Sequence, residues 1–325
     1  MREAAFVKQN QKKWEALEQA VGTENVSLKP DELSDYFVQL TDDLGYAKTH
    51  YPSSNTTVYL NNLTAKIHQA IYRNKKEDKR RLFRFWQIEL PGIMYASRRQ
   101  LLYSFLVFLL AGLIGAVSAA HDDSFIRLIL GDAYVNMTLD NINQGDPMAV
   151  YKSMGRGDMF FAITVNNIKV SFMAFSLGIL LSLGTGYVLL QNGIMLGAFQ
   201  YFFYQQGFLW PSFLTIWIHG TIEIASIIIA GAAGLVIGNS ILFPGTYPRM
   251  YSFVQGARKG LKIVIGLVPL FILAGFLESF VTRLTDWHWT LRLGIILTSA
   301  FFIVYYFIVY PYKLQLHDKQ ENEAL

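Results

Sequence analysis

Apolar residues recur at helical intervals through the first hundred positions and then run almost unbroken from residue 100 onward. In the first part, Phe6, Trp14, Leu17 and Val21 fall on one helical face, and Gly22 is placed to end that helix. Pro30 suits the first turn of a second helix, whose stripe is Leu33, Phe37, Leu40 and Leu44. A third helix is predicted from about Thr57 to Arg73, with Leu60, Leu63, Ile67 and Ile71 inward. Three helices with one apolar stripe each predict a small cytoplasmic bundle over residues 1–73. It holds no catalytic constellation, so docking or packing is its expected role.

Beyond residue 100 the periodicity fades because every helix face is apolar, and segment length becomes the guide. The fold class expected is all-α, a polytopic membrane protein of about six spans. These read as Leu101–Ala120, Lys169–Leu190, Gly193–Phe208, Pro211–Ile237, Ile263–Leu284 and Leu291–Tyr310. The third is short for a span of about 20 residues, so it reads as a tilted crossing or a re-entrant half-helix. The membrane domain is thus 101–312, with an extracytoplasmic loop at 121–167 and a cytoplasmic tail at 313–325. Arg98, Arg99, Arg249, Arg258, Lys259, Lys262 and Lys313 all fall on one side if there are six crossings. The excess of basic residues in cytoplasmic loops then places both termini in the cytoplasm.

Between the two parts, residues 74–100 join a basic run to an aromatic one. Lys75, Lys76, Lys79, Arg80, Arg81, Arg84 and Trp86 predict a helix lying in the headgroup layer of anionic lipid; the alternative is a solvated basic face. This changes the meaning of the sequence pI near 9.0. In a soluble chain it would suggest nucleic acid, but here the basic residues flank apolar spans, so no nucleic-acid partner is expected. Absent cysteine removes disulfides and thiolate chemistry. The start lacks a short apolar core with a small-residue cleavage site, so the first span is expected to act as its own insertion signal. No phosphate-binding Gly-Lys-Ser loop or Gly-x-Ser-x-Gly elbow occurs, which argues against ATP hydrolysis and that kind of esterase. Arg156-Gly157-Asp158 reads as a turn, and Trp287-His288-Trp289 as an interfacial aromatic belt.

The candidate chemistry lies inside the spans. His219 and Glu223 in His219-Gly220-Thr221-Ile222-Glu223 are four apart, so they share a helix face. Ionisable groups among apolar residues are costly unless they meet a partner, a cavity or an ion. Glu278 would complete a His-Glu-Glu set, adequate for zinc with an open fourth position. Asn166, Asn167 and Asn192 are weaker members of the same cluster. No catalytic residue is assigned and no cofactor is certain. A structural polar cluster, a divalent metal site, and a proton or ion path remain open. The glycines Gly178, Gly184, Gly186, Gly193, Gly197, Gly231, Gly234 and Gly238 read as close-packing positions, and lipid-facing ones would suit a homo-oligomer.

The run from Asn166-Asn167-Ile168-Lys169-Val170 through Gly178-Ile179-Leu180, Gly184-Thr185 and Asn192-Gly193-Ile194-Met195-Leu196-Gly197 to His219-Gly220-Thr221-Ile222-Glu223 resembles the stage II sporulation protein M family. The Glu278 segment is similar to the carboxylate-bearing helix of that family, and the resemblance covers roughly residues 82–312. It implies a membrane assembly or scaffold protein of a bacterial inner membrane, working with peptidoglycan-remodelling proteins or with an ATPase of the MoxR kind. The added N-terminal helical region departs from the short sporulation proteins. A transporter and a metal-dependent membrane enzyme are the rival readings.

Overall fold

A computed structural model describes residues 2–22, 30–73, 81–152, 155–284 and 287–323, and among them the chain is helical without strands. The chain divides into two compact units, 1–82 and 83–325.

The first unit comprises α1 (Glu3–Gly22), α2 (Pro30–His50) and α3 (Asn55–Arg73). Phe6, Trp14, Leu17, Leu40, Leu44, Leu60, Leu63 and Ile67 form its buried core, as the periodicity predicts. Val21, Leu33 and Ile71 lie outside the residues whose side chains are described. Large aromatics dominate this core, and the Trp14 indole meets its polar requirement by donating to Asp43 at 2.8 Å. Lys75, Lys76, Lys79 and Arg80 of the basic run also lie outside the described residues.

The second unit begins within the connector. The short α4 (Arg81–Arg84) is exposed, and a π-helical turn at Phe85–Glu89 leads to α5 (Leu90–Ala96). From there Phe85, Trp86, Leu90, Ile93 and Met94 pack on protein, while Gln87, Ile88 and Glu89 stay exposed. The Trp86 carbonyl accepts from Tyr306 Oη at 2.6 Å, that of Gln87 from Tyr310 Oη at 2.9 Å, and Glu89 pairs with Lys262. Trp86 is half-buried there, so its ring is shared with the bundle rather than given wholly to a membrane surface.

Five helical stretches are long and apolar enough to cross a membrane, namely Arg98–His121, Arg156–Ile179, Leu209–Leu242, Arg249–Val281 and Trp289–Leu316. They contain α6 (Arg98–His121), α9 (Arg156–Ser176), α11 (Leu209–Leu242), α12 (Arg249–Phe276) and α13 (Trp289–Val304), which leads into α14 (Tyr310–Glu323). Two short helices, α7 (Asp123–Leu130) and α8 (Asp132–Asn143), follow α6. Asp122 caps α7 by accepting from Ser124 N at 2.9 Å, and Gly131 at φ 85° turns the chain into α8. Arg156, Gly157 and Asp158 open α9 as helix rather than forming a free turn.

The remaining helix, α10 (Leu183–Gln205), corrects the predicted second and third spans. The second span begins at Arg156 instead of Lys169, and it ends at a turn where Leu181 and Ser182 take φ of 53° and 71°. Asn166, Asn167 and Lys169 lower the local hydropathy and disguise the first half of α9, while Leu180-Leu181 hides the turn. The short Gly193–Phe208 stretch is therefore the later part of a 23-residue helix. This helix runs parallel to α6. Leu189 and Ser104 both meet Gly231, Gly193 lies against Phe108, Gly197 against Gly112 and Ala116, and Gln205 donates to Asp123. It thus covers the depth of α6, in alternation with α9 before it and α11 after it.

Small residues set these contacts. A Cβ on Gly197 would overlap the Gly112 carbonyl oxygen, and one on Gly178 that of Gly234, whereas Gly186 faces open space. The basic residues Arg249, Arg258, Lys259 and Lys262 sit on α12 itself, not in the turn that precedes it. The ring contact of Tyr95 with Tyr312 brings the starts of α6 and α14 to one end of the bundle.

Candidate functional site

Three helical elements meet in the half of the bundle near the end that carries α7. On α11, His219 and Glu223 are one turn apart and face the same neighbours, as their spacing requires. Ile216, one turn before His219, belongs to the core under α7 and α8, so the pair lies one turn deeper than that core. Opposite it, α12 ends in a π-helical turn, Leu277–Val281, which carries Glu278. Such a turn inserts a residue into the regular ladder and is found disproportionately at functional sites. Thr282 N bonds to Leu277 O at 2.8 Å across five residues, which closes it.

One ligand atom from each of His219, Glu223 and Glu278 lies within 4.8 Å of the others. His219 Nε2 is 3.8 Å from Glu278 Oε2, and the histidine side chain is 5% exposed. His219 Nδ1 meets Thr282 Oγ1 at 3.0 Å. That hydroxyl also lies within donating distance of the Leu277 carbonyl, at 3.2 Å. With that proton on the Leu277 carbonyl, Nδ1 would carry the ring hydrogen and turn the Nε2 lone pair toward the glutamates. A second partner that fixes the tautomer in this way is the usual accompaniment of an imidazole ligand.

The donor set fits a small divalent cation. One imidazole and two carboxylates match three-ligand zinc sites, whose donors stand about 3.4 Å apart for bonds of ~2.1 Å. The 3.8 Å between His219 and Glu278 needs only a small contraction, and the set as a whole, within 4.8 Å, must close further around an ion. Without a cation, the cluster would rest on a shared proton, since two adjacent carboxylate charges in an apolar interior are strongly unfavourable. What the arrangement can do chemically is hold a proton or metal between α11 and α12. None of the three donors lines the 1220 Å³ groove on the far side of α11 or the 450 Å³ cavity beside Asn239 and Ser240.

The asparagines divide. Asn167 on α9 is buried and approaches Glu223, although its Nδ2 stays outside hydrogen-bond geometry. Asn166 is exposed on the other face of α9, and Asn192 bonds back to Val188 O of its own helix at 2.8 Å, so neither joins the cluster. Thr282 is the member that sequence reasoning missed. Its spacing of four from Glu278 was the available signal, although a threonine among apolar residues is too common to stand out.

The family model described as stage II sporulation protein M matches residues 104–283, a stretch that contains all four polar residues of this site. A domain of unknown function, DUF8413, matches residues 4–73. No match was found among curated proteins or solved structures.

Proposed function

From the premise that this chain belongs to the stage II sporulation protein M family, we propose that it is a membrane assembly protein whose helical bundle is clamped by a divalent cation. The carrying observation is the convergence of His219, Glu223 and Glu278 from two helices onto one buried point. His219 would supply Nε2 and the glutamates carboxylate oxygens, with Thr282 orienting the imidazole. The cation, zinc being the best fit, would supply charge neutralisation and a fixed crosslink between α11 and α12.

The scaffold role is supported by what flanks the bundle. The basic end, with Arg98, Arg249 and Lys313, is the cytoplasmic one by charge asymmetry, which assigns both termini to the cytoplasm. The N-terminal helical unit then recruits a cytoplasmic partner, an ATPase of the MoxR kind. On the other side α7 and α8 face peptidoglycan-remodelling proteins, and homo-oligomers multiply these contacts.

Elemental analysis of the purified full-length chain tests the clamp. About one zinc or other divalent ion per chain is expected, falling several-fold in Glu223→Gln with the fold retained. A metal-free wild-type chain that melts identically with and without a chelator would overturn it. Ion flux through proteoliposomes abolished by Glu278→Gln would favour the transport reading instead.

A further inference from the structure

The other face of α11 borders a feature that the polar cluster does not use. A groove of 1220 Å³ runs between α6, α10, α11 and α13, larger than the roughly 300–1,000 Å³ typical of pockets for drug-sized ligands. Its lining extends along α6 from Arg98 to Ala116, or about 27 Å at the α-helical rise, close to the thickness of a bilayer's hydrocarbon core.

The two ends of the groove differ from its walls. At the basic end Arg98 and Lys313 are the charged lining residues, and among the described residues no acid lines the groove with them. The Arg98 guanidinium stands 4.5 Å from the Tyr95 ring centroid and donates to Tyr95 O at 3.0 Å, which leaves further N–H donors for an anion. At the other end, two lining residues, Gln200 and Trp217, carry buried N–H groups without hydrogen-bond partners. Cations at one mouth and long apolar walls complement an anionic amphiphile.

A second copy of the chain fits less well. A two-fold axis along the membrane normal would set each groove against its equivalent at equal depth, bringing two cationic mouths together with no acid among the described lining residues between them. We propose that the groove binds an anionic phosphate-headed lipid, the phosphate between Arg98 and Lys313 and the hydrocarbon chains along α6, α11 and α13.

Native mass spectrometry of the full chain in uncharged detergent, titrated with dioleoyl phosphatidylglycerol or dioleoyl phosphatidylcholine, tests this. One phosphatidylglycerol should be retained roughly tenfold more tightly than phosphatidylcholine, the scale expected of two basic groups near an anionic headgroup. The double variant Arg98→Gln, Lys313→Gln should remove that preference, whereas Arg84→Gln on the exposed connector should not. Ala225→Phe, which fills the groove, should displace both lipids. Equal retention of the two lipids by the wild type, or a preference lost with Arg84→Gln and kept by the double variant, would overturn the proposal. So would a lipid-free dimer that Ala225→Phe dissociates. The charge variants lie at an exposed mouth, so they decide the matter even if Ala225→Phe fails to fold.

Discussion

The two units solve the packing problem in opposite ways. Residues 1–82 place large side chains inside, with Phe6, Trp14, Leu40 and Ile67 buried. In the membrane unit Phe105, Leu113, Phe301 and Ile308 are exposed, while Gly197, Gly178, Gly234 and Ser104 sit between helices. Water drives apolar groups together in the first unit. Lipid offers no such drive, so close approach of backbones and the pairing of polar groups hold the second together. A buried polar cluster therefore matters more to the membrane unit than an equivalent cluster would to the N-terminal one.

The largest expected effect is on the aromatic core. Trp14→Ala should cost the N-terminal unit about 3–5 kcal/mol through lost burial and a residual cavity, and it also removes one partner of Asp43, which keeps its ion pair with Lys13. Limited proteolysis of the full chain should then cut rapidly within residues 1–82 while residues 83–325 stay intact. Simultaneous collapse of both parts would break the comparison.

Next comes small-residue packing. Gly197→Leu should destabilise the membrane unit by roughly 1–3 kcal/mol or more, because the Cβ itself meets the Gly112 carbonyl oxygen. Gly186→Leu, with nothing within 4 Å of its Cβ, should change the melting temperature in detergent little. Equal losses from the two would mean that helix flexibility, not interhelical contact, explains the glycines.

The sequence disclosed these two units unequally for the same reason. Around Phe37, Leu40 and Leu44 the alternation of apolar and polar positions reports the buried face directly, so the N-terminal helices were legible. In the spans both faces are apolar, and boundaries depend on interruptions that mislead. Lys169 seemed to begin a span but lies within α9, and the turn at Leu181-Ser182 carries no hydropathy signal. Polar residues were the reliable markers. His219, Glu223 and Glu278 could be grouped because their cost in lipid demands a partner, whereas the π-helical turn presenting Glu278, and Thr282 behind His219, needed coordinates.

The smallest effect expected is electrostatic and confined to the N-terminal unit. Hydrogen bonds from Lys66 and then Tyr59 hold the Glu18 carboxyl below its ordinary value of 4.5. A group depressed in the folded state contributes stability that is fully present above 4.5 and fades as pH falls through the lower folded value. Since Glu18 is 43% exposed, solvent screens most of the interaction, and Glu18→Gln should lower stability at pH 7 by less than about 1 kcal/mol. Melts of wild type and variant at pH 7 should therefore differ slightly and converge as pH falls below the folded value. A difference that grows on acidification would contradict this assignment.

The central claim is that the membrane unit's inner polar groups share a cation. Zinc-edge X-ray absorption on the purified, zinc-loaded full-length chain reads it directly. The account predicts a first shell of one imidazole nitrogen and carboxylate oxygens at ~2.0–2.2 Å, lost from His219→Gln. A first shell of oxygens alone, or an unchanged spectrum in His219→Gln, would contradict it.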